Sequence, residues 1–181
     1  SLKTQKKISK ILTYYDDLIK NNLNRIALLE EYGKLIYEEW FLRFKIDNKE
    51  SNIDKSTNLP LGWKKIKVKD YVAIISKGPS LNYDLGESEG VEVLNQSCIR
   101  NGEIELEKVL IAKKLNNNQK LSYLKINDIL INSMGTGTLG RVSRNVSIKK
   151  KMIIHNCITF LRAKDIYSQY ILFYFISSHK E

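Results

Sequence analysis

The run Gly135-Thr136-Gly137-Thr138-Leu139-Gly140 carries the sharpest chemical spacing in the chain. G-x-G-x-x-G after a strand is the fingerprint of a dinucleotide site, where glycines let the backbone approach a pyrophosphate held on a helix N-terminus. In this chain the run continues into Arg141-Val142-Ser143-Arg144-Asn145-Val146-Ser147, which has β character and polar alternation instead of an opening helix. No βαβ unit surrounds the run, and no acidic ribose partner stands about 20 residues further on. A nucleotide cofactor is therefore not expected. The run reads better as a glycine-rich loop between two strands. Its NH groups and small hydroxyls, beside Arg141 and Arg144, suit a phosphate backbone. A tight turn needing positive φ accounts for the same glycines, and both readings can hold together.

Other polar and basic loops have the same chemistry. Residues 77–83, 95–101, 113–120 and 135–144, with Lys149-Lys150-Lys151, are rich in Asn, Gln, Arg, Lys, Ser and Thr. These side chains hold phosphates or match the donors and acceptors on base edges. The candidate DNA-binding residues are Lys77, Ser80, Asn82, Tyr83, Asn95, Gln96, Arg100, Lys113, Lys114, Thr136, Thr138, Arg141 and Arg144. Any one of these loops alone would be ordinary solvated surface. Their coincidence with an uneven charge points to a polyanion. The whole chain has 30 Lys and Arg against 20 Asp and Glu, a net +10. Residues 1–46 hold 9 basic and 6 acidic residues, and residues 59–181 hold 19 and 11. The excess thus sits in the second part, where DNA would be met.

Catalytic constellations are absent from the pattern. Of two histidines, His155 lies in an apolar run and reads as a core or edge residue, and His179 is near the end. No Ser/His/Asp or Cys/His set stands out, and Glu105-Leu106-Glu107-Lys108 reads as strand-edge charge, not a metal-binding nuclease frame. No base-modifying signature such as N/D-P-P-Y is present. Cys98 and Cys157 lack CxxC neighbours, so metal ligation is not expected, and two free buried thiols suit a reducing cytoplasm. No catalysis, metal or cofactor is expected.

These loops need elements to position them. Residues 1–46 are expected to form a spacer or dimerisation helix. Ile8, Leu12, Tyr15, Ile19, Asn22, Ile26, Leu29, Gly33, Ile36 and Trp40 succeed one another at spacings of 4 and 3, the 3.5-residue repeat of a coiled-coil seam. Lys6, Lys10, Lys20, Arg25, Glu31 and Glu38 lie off the seam. Such a seam calls for a partner helix. Asn22 either bonds across it and fixes register or is simply exposed. Gly33 permits close approach. Residues 8–44 would span about 55 Å at about 1.5 Å per residue. The aromatic end, Trp40-Phe41-Leu42-Arg43-Phe44, is expected to plug into a neighbouring domain or subunit.

Residues 47–58, DNKESNIDKSTN, read as a linker. From Leu59 the pattern turns to short β runs. Strands are expected at 64–68, 72–76, 91–94, 128–132, 141–147 and 153–161, with a hairpin at Asn101-Gly102 and a short buried helix over 167–177. Trp63 reads as a core anchor, with base stacking as the alternative. The fold class is α+β, a long N-terminal coiled-coil helix followed by a strand-rich domain with a few short helices. No run is long and apolar enough to span a membrane. The chain opens SLKTQKK, without Met and already in a helical pattern, so a cut or processed start is expected, with further sequence beyond both ends.

Taken together, the residues resemble the specificity subunit of type I restriction–modification systems. Gln5-Lys6-Lys7-Ile8, Ile11-Leu12, Asp16-Asp17, Asn24-Arg25, Leu28-Leu29-Glu30 and Glu39-Trp40-Phe41 look like that family's spacer helix. Leu59-Pro60-Leu61-Gly62-Trp63, with Val68 and Ile74-Ile75-Ser76-Lys77-Gly78, looks like the opening of a target-recognition domain. Asn127-Asp128-Ile129-Leu130-Ile131 with residues 135–142 looks like its strand and glycine loop. The resemblance implies a non-catalytic subunit that reads half of a split target in double-stranded DNA. It implies methyltransferase and restriction subunits as partners, and a second spacer helix from the same full-length chain or from another copy. Full-length members carry two recognition domains; here one helix precedes one domain, 59–181, so a fragment or a half-subunit is expected. The DNA sequence read does not carry over, because such domains diverge. A module that only assembles through its helix is the main alternative, and a sequence-specific nuclease the third.

Overall fold

A computed structural model describes residues 1–47, 49–81, 90–100, 102–112 and 123–178. They form two compact units, Ser1–Lys64 and Lys65–Glu181. The class is α+β, in agreement with the sequence.

The first unit is led by α1, Leu2–Tyr37, whose N-terminus is capped by the Ser1 hydroxyl accepting from the Thr4 amide. Lys34 and Glu38 pair one turn apart. The helix does not run to residue 46 as its pattern suggests. It loosens into a single π turn, Glu38–Leu42, closed by the Arg43 amide on the Glu38 carbonyl. Phe44 then adopts φ 55, which a right-handed helix cannot continue through. The reason lies in the rings. Tyr37 stacks on Phe41 at 5.2 Å, Phe41 lies 5.6 Å from Trp63, and Phe44 meets Trp63 edge-on at 5.8 Å. Phe41 and Phe44 therefore pack on a tryptophan of their own unit, while Trp40 remains exposed. Trp63 is the hub of this cluster and not a sealed core anchor, being 38% exposed.

Two small antiparallel pairs carry the chain from Phe44 to Trp63. β1 (Lys45–Ile46) pairs with β2 (Lys49–Glu50), and β3 (Ile53–Asp54) pairs with β4 (Leu59–Pro60). The Asp54 carboxylate accepts from the amide and hydroxyl of Ser56 at 2.8 and 2.7 Å, which shapes the turn between β3 and β4. The polar stretch 47–58 is thus partly paired backbone.

The second unit opens with α2 (Val68–Tyr71) and β5 (Val72–Lys77). The expected strand over 64–68 does not form. Val68 and Tyr71 sit three apart and both turn toward the core, which favours a helical turn. After β5 come β6 (Val91–Leu94), a 3₁₀ turn Gln96–Cys98, β7 (Ile99–Arg100), β8 (Glu103–Ile104) and β9 (Leu110–Ala112). The remaining elements are β10 (Ile129–Asn132), β11 (Val142–Arg144), β12 (Ile153–Ile154), β13 (Ile158–Ala163) and α3 (Ile166–Ser178). One sheet has the order β11-β10-β13-β5, antiparallel throughout. A second has the order β12-β6-β9, with β12 parallel to β6. β7 and β8 pair Ile99 with Ile104 and Arg100 with Glu103; of the expected Asn101-Gly102 turn, Asn101 lies outside the described residues.

The apolar run 153–161, expected as one strand, is two. The Ile158 amide folds back on the His155 carbonyl at 3.0 Å and sends β12 to one sheet and β13 to the other. β10 shows how the core divides. Ile129 and Ile131 pack toward α3 with Val142, Leu161 and Leu172, whereas Leu130 joins Leu94, Ile99, Met152 and Phe160 on the opposite face. Asn132 shares that opposite face by the same alternation. The expected buried helix is present as α3 but buries one side only; Gln169 and Leu172 are covered and Tyr167 is 79% exposed. Cys98 is buried, and Cys157 only half so. Among the described residues no helix is long and apolar enough to cross a membrane.

Candidate nucleic-acid interface

The glycine loop 133–141 joins β10 to β11 and is closed at its base by two backbone bonds. The Asn132 amide donates to the Arg141 carbonyl, and the Gly140 amide to the Asn132 carbonyl, each at 2.9 Å. Within the loop Gly135, Gly137 and Gly140 have φ of 112, 74 and 76. Gly135 is also a close approach, since a Cβ there would lie 2.5 Å from Thr138 Oγ1 and 3.2 Å from Gln96 Cγ. The loop therefore lies close to Gln96, the first residue of a segment described over 96–100 and at Gly102.

Three side chains of the β10–β11 unit hold that segment by its main chain. Asn132 Nδ2 donates to the Gln96 carbonyl at 2.9 Å. Arg141 Nη1 donates to the Ile99 carbonyl at 3.3 Å, while its Nη2 reaches the Gly137 carbonyl at 2.9 Å. Ser143 Oγ donates to the Gly102 carbonyl at 2.7 Å. Asn95, just before the segment, is buried and spends both ends of its amide internally. Its Oδ1 accepts from the Ser97 amide and its Nδ2 donates to the Lys108 carbonyl. Every one of these bonds lands on backbone, so it orders the chain without engaging the side chains at 96, 97 and 100.

Those side chains face outward. Ser97 and Arg100 are exposed and Gln96 is half-buried. Thr136 is exposed, Thr138 leans on the Gly135 carbonyl at 3.4 Å, and Leu139 stands 70% exposed at the loop tip. Glu105 sits among three cations, and its carboxyl is held below the usual range chiefly by its hydrogen bond from Lys108, with Arg100 and Arg141 adding to the effect.

The other expected residues are placed elsewhere. Lys77 is exposed at the end of β5, opposite Thr159. Ser80 is exposed after Gly78-Pro79, a stretch laid against the turn between β12 and β13; the Asn156 amide donates to the Pro79 carbonyl at 3.2 Å. Arg144 points to the α3 side. Its guanidinium lies 4.1 Å above the Tyr170 ring and 5.5 Å from Phe173, and its Nη1 donates to Asn127 Oδ1 at 3.2 Å. Of the lysine run, Lys150 pairs with Glu92 and Lys151 lies 4.7 Å over Tyr123. Asn82, Tyr83, Lys113 and Lys114 lie outside the described residues.

The structure thus gathers Gln96, Arg100, Thr136, Thr138 and Arg141 and leaves Arg144 on another face of the sheet. Asn132 and Ser143, which sequence reasoning missed, do much of the holding. A polar residue ending the apolar run Ile129-Leu130-Ile131 is the available signal for Asn132. His155 is remote from this cluster in role: burial pulls its imidazole below the ordinary value, and its Nδ1 accepts from the Cys157 amide at 3.4 Å. Burial likewise pushes the Cys98 thiol up. Among the described residues no group of His, Cys, Asp and Glu is arranged to hold a metal ion.

On the first unit, the expected pairing residues form an uncovered stripe. Ile8, Leu12, Tyr15, Ile19, Ile26 and Leu29 are 53–67% exposed. Asn22 is exposed with them, and Gly33 and Ile36 are half-buried. Trp40 lies in the π turn, where the backbone spacing departs from that of the seam.

No protein-family model matches the sequence. A stretch of 75 residues, 40% of the chain, is 29% identical to the type I restriction enzyme MjaIX specificity subunit of Methanocaldococcus jannaschii. The match covers 17% of that protein, so the chain spans only a small part of the relative it resembles.

Proposed function

We propose that the chain is a DNA-recognition module of a type I restriction–modification complex. In this reading the second unit reads one half of a bipartite target, and α1 pairs with another spacer helix and sets the distance between half-sites. The methyltransferase and restriction subunits supply the chemistry and assemble around it. The observation that carries the proposal is the similarity to a specificity subunit. Two features support it. The second unit holds 18 basic and 11 acidic residues, a net +7. Its glycine loop and the segment 96–102 present amide, guanidinium and hydroxyl groups together, the types that match base edges and phosphates.

The test is binding of the chain to a labelled random-sequence duplex pool as salt is raised, with and without a methyltransferase subunit. About six phosphate contacts would lower affinity about 1,000-fold between 50 and 200 mM salt. Equal and negligible retention of every duplex, with the methyltransferase subunit present, would defeat the proposal. A second reading rests on the uncovered seam of α1, namely a module that only assembles partner subunits. Loss of DNA binding on Arg100→Ala, with subunit assembly intact, favours recognition over scaffolding.

A further inference from the structure

The pattern of hydrogen bonds sorts the polar residues at the glycine loop by what remains available. Asn95 is buried and tied to the Ser97 amide and the Lys108 carbonyl, and Arg141 is anchored through both terminal nitrogens on the carbonyls of Ile99 and Gly137. Arg144 lies against Tyr170 and Phe173. Gln96 and Arg100 differ from all three. Among the described residues neither side chain makes a hydrogen bond or a close ion pair; Arg100 stands opposite Glu103 across the hairpin and acts on Glu105 only through its charge, leaving its N–H donors open. Yet their backbone is held, because Asn132, Arg141 and Ser143 fix the carbonyls of residues 96, 99 and 102. The Gln96 stem runs close to Gly135, where an added Cβ would lie 3.2 Å from Gln96 Cγ. A polar head carried on a backbone already held in place forfeits no further backbone entropy on binding, which favours a specificity contact.

We propose that Gln96 and Arg100 are the base-reading side chains of this unit, Gln96 taking an adenine and Arg100 a guanine, each through the major-groove edge; this rests on the DNA-recognition reading above. A carboxamide matches adenine N6 and N7 with one acceptor and one donor. A guanidinium matches the two acceptors guanine O6 and N7. Both pairings are bidentate, and each discriminates its base from others by about 5- to 150-fold. The half-site therefore includes one A·T and one G·C pair whose recognition depends on these two residues separately.

The experiment is selection of the intact chain from a random duplex pool, with sequencing of the retained DNA. Wild type is expected to enrich a motif containing an adenine and a guanine. Gln96→Ala loses preference at the adenine alone. Gln96→Glu, which keeps the size but presents only acceptors, moves that preference toward cytosine. Arg100→Lys keeps the charge, and so the salt slope, but lowers the guanine preference. Replacing the motif's adenine by 7-deazaadenine lowers wild-type affinity and leaves Gln96→Ala affinity unchanged. A wild-type motif that persists unaltered in Gln96→Ala and Arg100→Lys, with melting temperatures unchanged, overturns the assignment and leaves DNA recognition standing. A wild type that, with a methyltransferase subunit present, binds duplex DNA without any motif, or not at all, overturns both.

Discussion

Asp128 is fully buried just before β10 and accepts three hydrogen bonds from two residues. Arg162 donates to both of its oxygens, at 2.7 and 2.6 Å, and the Lys125 amide adds a third bond at 2.8 Å. Removing the carboxylate leaves a guanidinium in a largely buried site. Asp128→Ala is expected to cost about 3–5 kcal/mol in urea unfolding, and a loss under about 1 kcal/mol would refute the pairing's importance. Gly78 is constrained differently. A Cβ there would fall 1.7 Å from the Ile154 carbonyl oxygen, backbone against side chain with nothing able to rotate away. Gly62→Ala meets open space and strains only its φ of 83, a cost of about 1–2 kcal/mol. Gly78→Ala should therefore lower the melting temperature well beyond Gly62→Ala; equal shifts would contradict the close approach. His155 gives a pH signature. Its folded-state value is lowered by burial, so the folded protein favours the neutral ring. The resulting stability is present above the ordinary imidazole range and is lost as pH falls through and below it. His155→Gln should flatten that limb of a stability-versus-pH curve, and an unchanged slope would show that other groups cause it.

At the scale of elements, α1 exposes an apolar seam that water disfavours, so pairing should be measurable. Leu12→Asp with Ile19→Asp is expected to lower the apparent mass in sedimentation equilibrium if the partner is a second copy. An identical monomer mass for variant and wild type would point to a partner outside this chain. Asn22→Ile should strengthen the association and relax its register. The heptad spacing and the alternation of Ile129, Leu130 and Ile131 make α1 and β10 legible from sequence, because each repeat matches one covered face or one seam. The crossing at His155–Cys157 leaves no such mark: β12 and β13 are equally apolar, and only the fold-back at Ile158 separates them. The π turn is hidden for a related reason. Its cause is Trp63, some twenty residues downstream, and local propensity contains no term for that contact. At the candidate interface the loops are visible as polar clusters. Which of their side chains are already engaged is not, since a bond from Arg141 to the Ile99 carbonyl arises from tertiary approach.

Across the whole molecule the charge is unevenly divided. The unit led by α1 holds 12 basic and 9 acidic residues and the other holds 18 and 11, so long-range attraction to a polyanion acts mainly on the second. Association with duplex DNA should slow as salt rises, while dissociation caused by Arg100→Lys should change at constant salt; stopped-flow measurement separates the two. The hold on segment 96–102 has a different implication. Asn132, Arg141 and Ser143 grip carbonyl oxygens, which every amino acid possesses. Exchanging residues 96, 97 and 100 therefore leaves these three backbone bonds in place, with position 96 limited further by its half-burial beside Gly135. A library randomised at those three positions should remain folded, most members within about 0.5 kcal/mol of the parent. On the DNA-recognition reading proposed above, the loop and its neighbours would then serve as an interchangeable cassette, a starting point for selecting proteins that address new DNA words on an unaltered frame.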